Sequence, residues 1–531
     1  MHDSDGWPRG TLKKVWSAAP PLRRVVACSA AVALISVSLS VGPAEAAPHV
    51  APLKQGHGKV IANKYIVVLN DDANGSDVAH RNAVNPRYVY SAAINGFSAT
   101  LSKSQLARVR NDSAVKYVEP DSVVTISDKP RPAADSKFQT KSPSQLKPQS
   151  QSGDVSTNTT QTGATWGIDR IDQRTGLNGT YNYTDTGAGV TAYVIDTGIR
   201  TSHTQFGGRA VVGYDALGGN GQDCNGHGTH VAGTIGGSTY GVAKGVRLVA
   251  VRVLDCSGSG SFSGVIAGID WVTYTHDGPS VANMSLGGGL NSAVNDAVAR
   301  STARGVTHVV AAGNSNADAC GSSPSSAPSA ITVAATGRSG NTDVRASFSN
   351  WGPCVDVFDP GVNITSAWWT SDTAAAVLSG TSMASPHVAG QAALYLQSNP
   401  FGTPATVDDV IKTVAVTGIV SDPAGSPNRF ARKWNGILSG TGANSYQPDG
   451  TFWFQTNPGY IQGWLAGTAG TDPDLYLERW NGTAWVFVTG SASTTPRERV
   501  VYNAVGNTFY RFRVNAFNGA GSYDLWSYHP A

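Results

Sequence analysis

Charged side chains are scarce in this chain. Asp, Glu, Lys and Arg make up only 14% of the 531 residues, and the net charge is +3. No cluster of basic residues interleaved with aromatics occurs, which excludes the electrostatic footprint of a nucleic-acid partner. Glutamate is rarer still: none lies between Glu119 and Glu478, so the long middle of the chain has no glutamate to serve as a general acid or base. Cysteine occurs five times, at Cys28, Cys224, Cys256, Cys320 and Cys354. None has a nucleophile or zinc motif around it. Long apolar runs are missing except for Val25–Val41, which follows Lys13, Lys14, Arg23 and Arg24 and precedes Ala44-Glu45-Ala46. At about 17 residues with several Ser and Ala it is short for a membrane span. It reads instead as the apolar core of a signal peptide over residues 1–46, with a small-x-small cleavage site. Cys28 leaves with that segment, and four cysteines in an exported chain suggest two disulfides, for which three pairings are open.

Glycine, by contrast, is abundant at 61 residues, and small residues surround the most informative run, Ser379-Gly-Thr-Ser382-Met-Ala-Ser-Pro-His387-Val-Ala-Gly390. Gln391–Gln397 continues it as helix. A hydroxyl at a helix N-terminus, flanked by residues too small to block access, suits a nucleophile, because free N–H groups and the helix dipole favour developing negative charge. A lone serine there is more often an N-cap, but three other runs change the balance. Val190-Thr-Ala-Tyr-Val-Ile-Asp196-Thr-Gly-Ile199 reads as a buried parallel strand delivering a carboxylate at its C-terminal end. Asn225-Gly-His227-Gly-Thr-His230-Val-Ala-Gly opens a small-residue helix with a histidine. Together these supply the carboxylate, imidazole and hydroxyl of acyl-transfer chemistry. Val309-Val-Ala-Ala-Gly-Asn314 is another strand ending in an amide, which can donate to the oxyanion of a tetrahedral intermediate.

These four runs resemble those of the subtilases, most closely the proteinase K and aqualysin branch, and the resemblance covers residues ~160–440. The order Asp, His, Ser along the chain is that of subtilisin. The resemblance implies an α/β catalytic domain with a largely parallel sheet between helices. It also implies serine endopeptidase activity, with Asp196, His227 and Ser382 as triad and Asn314 with the Ser382 N–H as oxyanion hole. Gly258, Ser259 and Gly260, with Ser285, Leu286 and Gly287, match the two segments that line an extended peptide. Ala311, Ala312 and Gly313 match the floor of the first specificity pocket. Nothing acidic stands there, so aromatic or large aliphatic residues are expected before the scissile bond, and Phe262 walls a more distant apolar subsite. The implied disulfides are Cys224–Cys256 and Cys320–Cys354, each worth ~3–4 kcal/mol in the chain-entropy model. Calcium is the implied cofactor, held by Asp356 and the carbonyls of Pro328 and Ala330, oxygen donors that suit a hard cation. Asp169, Asp172 and Gln173 are candidates for a second site. The related sedolisin chemistry needs a glutamate base and is excluded by the missing glutamates. Of the other histidines, His203 reads as a loop residue, and His230 and His387 as helix-packing residues; no zinc set surrounds His227 and His230.

Two further regions flank the catalytic runs. Residues 47–160 read as a propeptide, with a small α+β inhibitor module over about 62–127 and a Lys-, Pro-, Ser- and Gln-rich linker over about 128–160. Its elements are strands at Lys64–Leu69, Asn95–Leu101, Val115–Pro120 and Val123–Ile126, a short helix within 75–85, and a serine-capped helix at Ser102–Arg110. The catalytic domain spans 161–440. Residues 441–531 alternate aromatic and polar residues at period two between turns, the pattern of an all-β sandwich-like domain; its aromatics read first as core. The expected protein is a secreted monomeric endopeptidase made as a zymogen, with polypeptide substrates, its own propeptide as inhibitor, and no nucleic-acid partner or membrane anchor. The alternative is a non-catalytic secreted binding protein on the same scaffold.

Overall fold

The computed structural model describes residues 49–126 and 159–530. The signal peptide and nearly all of the linker lie outside the described residues. Residues 49–126 form strands Val60–Leu69, Tyr88–Tyr90, Gly96–Thr100 and Val115–Thr125 with helices Gly75–Arg81 and Lys103–Asn111. The second helix starts where the sequence places it. Ser102 accepts the Gln105 N–H while the Gln105 side chain accepts the Ser102 N–H, a reciprocal capping box. The two strands expected at Val115–Pro120 and Val123–Ile126 are one continuous strand. It pairs with Val60–Leu69 as far as Ser122, and its last residues also pair with Ser259–Ser261 of the next domain, so the strand runs on past Pro120.

The central sheet is eleven-stranded. Thr191–Asp196 lies in its middle, between Arg247–Arg252 and Ser280–Met284, and the core pairings out to Val357–Pro360 are all parallel. Every residue of Thr191–Asp196, Ser280–Met284 and Val306–Ala311 is buried. That is why these strands read as unbroken apolar runs: a sheet covered by helices on both faces has no polar side to alternate with. The strands point their C-terminal ends to one edge, where ligands bind in open parallel sheets. Helices His227–Gly236 and Thr381–Ser398 pack against each other and bring their N-termini to that edge. The disulfides are Cys224–Cys256 and Cys320–Cys354.

The C-terminal region forms two antiparallel sheets. One orders Trp434–Leu438, Gly521–Tyr528, Gly459–Gly467 and Arg497–Ala504; the other is built on Thr508–Asn518 and Asp472–Trp480. The first strand thus begins ahead of residue 441. Tyr510, Phe512, Tyr523 and Trp526 are buried core, whereas Phe452, Phe454 and Phe487 are exposed. Its core is continuous with that of the catalytic region. Tyr395, on the helix that carries Ser382, meets Trp464 and Trp526 edge-on at 5.3 and 5.9 Å. Lys433 and Asp524 form an ion pair with both side chains buried.

Candidate active site

The site is assembled from strand ends and helix starts. Asp196 closes its strand fully buried, and its carboxylate accepts the His227 Nδ1–H at 2.8 and 2.9 Å from its two oxygens. That contact fixes the tautomer and leaves Nε2 as the outward basic nitrogen. The loop before His227 is laced by a second buried carboxylate, Asp223, which accepts from the N–H groups of Asn225, Gly226 and Thr229 and from the hydroxyls of Thr197 and Thr229. Gly226 has φ 113°, and a side chain there would strike Trp368 and Trp369, so only glycine fits.

Ser382 stands in the first turn of Thr381–Ser398, 2% exposed. Four residues on is Pro386, which has no N–H to give the Ser382 carbonyl. Ser285 replaces it: its hydroxyl donates to the Ser382 carbonyl at 2.9 Å, and the Ser382 hydroxyl donates to the Ser285 carbonyl at 3.2 Å. Asn283 donates to the Ser285 hydroxyl at 2.9 Å and accepts the Ser385 hydroxyl at 2.7 Å, tying the strand end to the same helical turn. Asn314 accepts both the N–H and the hydroxyl of Thr381, at 2.8 and 2.9 Å. With its oxygen so engaged, the amide turns its NH2 the other way.

The two peptide-lining segments already hold a strand. Val123, Val124 and Thr125 pair antiparallel with Ser261, Gly260 and Ser259, Thr125 exchanges two hydrogen bonds with Gly287 (3.0 and 3.1 Å), and the Ile126 N–H donates to the Gly258 carbonyl at 3.0 Å. Gly258 has φ 75°, and a Cβ there would collide with Ile126. Val124 and Phe262 share one buried cluster. Leu286, Ala311 and Ala312 are buried and Gly313 is partly so. Asn350, which sequence reasoning passed over, shapes this wall by donating to the Ala312 carbonyl. The inhibitor module is docked by carboxylates at helix N-termini: Glu119 accepts from Ser292 and Ala293, and Asp121 from the N–H and hydroxyl of Ser263. Nothing in the sequence marked these as docking groups, because each answers a helix end distant in the chain. The remaining histidines fit their expected places. Burial pushes His230 down to about 3 and His387 to about 4, and His203 sits at a short helical turn.

Among the described residues no group of three or more His, Cys, Asp or Glu side chains converges on a common point. Asp356 is already engaged: one oxygen accepts the Thr332 N–H and the other receives the Lys412 ammonium, both at 2.8 Å. With a cation on the only carboxylate, Pro328, Ala330 and Asp356 do not fit a divalent ion. Asp169 accepts from Asn178 and Gly179, and Asp172 from Gln173 and Asn182. Burial raises both, Asp172 to about 6 against the opposing charge of Lys433.

A parallel α/β sheet carrying a buried carboxylate–imidazole pair beside a helix-N-terminal serine defines a hydrolase of the nucleophilic-serine class. The Subtilase family profile matches residues 187–442, and that of Peptidase inhibitor I9 matches residues 64–127. An "Extracellular serine proteinase" of Thermus sp. is 53% identical over 64% of this chain and 76% of its own length. A "Cuticle-degrading serine protease" of Arthrobotrys oligospora is 41% identical over 71% and 91%. An "Alkaline serine exoprotease A" of Vibrio alginolyticus is 51% identical, and the chain spans 59% of it. A solved cold-adapted subtilisin-like serine proteinase is 55% identical over 51% of this chain and 98% of its own, with a TM-score of 0.49. The chain belongs to the subtilase family of serine peptidases.

Proposed function

We propose that this protein is a secreted serine endopeptidase that acts as a monomer through an acyl-enzyme and is made as a zymogen. His227 Nε2 takes the proton of the Ser382 hydroxyl as it attacks the scissile carbonyl. Asp196 holds the imidazole in the required tautomer and stabilises its charged form. The NH2 of Asn314 and the Ser382 N–H receive the oxyanion, where preorganised donors act mainly in the transition state. The observation that carries this reading is the buried Asp196–His227 pair at 2.8 Å, set beside the packed helix that begins at Ser382.

Residues 123–126 supply the substrate geometry. Backbone pairing on two sides gives affinity with little demand on side chains, consistent with broad specificity, and the apolar floor of Ala311, Ala312 and Gly313 favours aromatic or large aliphatic residues before the scissile bond. The described strand ends with Thr125 paired to Gly287 and Ile126 to Gly258, next to Ser285, whose carbonyl lies 3.2 Å from the Ser382 hydroxyl. Tethering gives the module an effective concentration toward ~1 mM, enough to silence the enzyme at modest affinity. No catalytic step in this reading depends on calcium. The test is labelling of the secreted chain by a fluorophosphonate, with the adduct mapped by mass spectrometry. The adduct is expected on Ser382 and is expected to vanish in His227→Ala. A folded chain that takes no label would favour the non-catalytic alternative.

A further inference from the structure

The disagreement at Asp356 has a specific cause, and it lies on the helix Pro404–Val414. Lys412 reaches Asp356 on one side and Asp408, four residues earlier on its own helix, on the other, each at 2.8 Å. Asp356 is in turn locked to the sheet edge: its N–H donates to the Thr332 carbonyl while its carboxylate accepts the Thr332 N–H. The carboxylate therefore has a fixed place, and an ammonium bridges it to the helix. Lys412 and Asp356 are 26% and 23% exposed, so the contact is largely shielded from water and salt.

We infer that Lys412 is a built-in cation that takes the place of a divalent ion at Asp356, so that this corner of the fold is held without metal. Calcium would have to approach the Asp356 oxygens to about 2.3–2.6 Å. At that distance it would meet the ammonium, which occupies the same lone pairs and repels it. A lysine supplies less charge and fewer bonds than calcium, but it is tethered, so its association costs no freedom of a separate particle. The second carboxylate, Asp408, fits the same role, because a lysine bridging two acids stays in place more readily than one facing a single acid. The chemistry assigned is thus an ion-pair bridge between the strand edges at Thr332 and Asp356 and the helix at Lys412, with monovalent and divalent metal excluded from it.

The experiment counts ions and measures melting, using the full chain carrying Ser382→Ala so that self-digestion plays no part. Calcium bound per chain is determined by equilibrium dialysis with elemental analysis, and Tm is recorded with and without calcium. Any ion held elsewhere is common to all variants and cancels. Lys412→Met, which keeps the stem and removes the charge, is expected to lower Tm by a few degrees in chelator, to bind one additional calcium, and to recover its Tm when calcium is added. Lys412→Arg should keep the parent count and stay within a degree or two of the parent Tm. Asp356→Asn in the presence of Lys412 should lower Tm without changing the calcium count. If Asp356→Asn loses one ion, or if Lys412→Met and its parent bind equal calcium and respond to it equally, Asp356 is a metal ligand or an inert loop residue and the inference is wrong.

Discussion

Ser285→Ala is the most revealing single substitution, because its cost follows from a proline. In an uninterrupted helix the Ser382 carbonyl would accept the N–H four residues on. Pro386 has none, and the Ser285 hydroxyl takes its place at 2.9 Å. Removing that hydroxyl leaves a buried carbonyl unsatisfied, at a cost of about 1–3 kcal/mol, and leaves an Asn283 N–H without its acceptor. Part of the loss should appear in kcat, since the carbonyl belongs to Ser382, the proposed nucleophile. At about 1.4 kcal/mol per tenfold change in rate, a turnover loss of roughly tenfold is expected with KM little changed. The decisive measurement is a double-mutant cycle with Pro386→Ala, which restores the missing N–H. If the argument holds, Pro386→Ala should recover on the order of 1 kcal/mol in the Ser285→Ala background and little in the parent, read by both Tm and kcat. Strictly additive effects would mean that Ser285 acts otherwise, for instance only by shaping the peptide-lining segment.

Other outcomes are expected on the same grounds. Ser382→Ala should abolish peptide hydrolysis and self-processing with an unchanged melting profile, and Asn314→Ala should lower kcat by roughly 10²–10³ while barely moving KM; normal turnover in either would remove the assignment. His230, His308 and His387 are buried, and burial lowers them to about 3, 3 and 4. At these three positions the unfolded chain binds more protons than the folded one between those values and about 6.5, so their stabilisation is lost as pH falls through that window, by up to about 1.4 kcal/mol per pH unit per histidine, while Asp172 and Asp408, raised to about 6 by burial, act in the opposite direction. NMR titration of the three imidazoles in the folded chain is the direct check, and protonation of any of them near pH 6.5 would contradict their neutral burial. Glu119→Ala with Asp121→Ala should weaken inhibition by the isolated module at least tenfold in a competition assay. Asp524→Ala strands a buried Lys433 ammonium and should cost about 3–5 kcal/mol, and a chain ended before Trp434 should not give a stable enzyme. Recovery of a fully stable enzyme ending there would show that the C-terminal sheets are an appendage.

What the sequence determined by itself was local. Asp196, His227, Asn314 and Ser382 stood out as candidates because a group delivered at a strand end or helix start leaves a mark in adjacent residues: an apolar run before it, small residues around it. The four cysteines and the capping box at Ser102 were legible for the same reason. Tertiary structure alone decided what depends on residues far apart meeting. Val123–Thr125 runs on past Pro120 between Lys59 and Val60 of its own module on one side and Ser259–Ser261 and Gly287 on the other. Ser285 matters because Pro386, about a hundred positions later, withholds an N–H. Lys412 reads as an ordinary helix-surface lysine until the fold sets it against Asp356. The aromatics after residue 440 gave a β pattern, but not that Trp464 and Trp526 would close over Tyr395 on the nucleophile's own helix. Backbone patterns are written in neighbouring residues; charge pairing and hydrogen-bond satisfaction are settled only when the chain has folded back on itself.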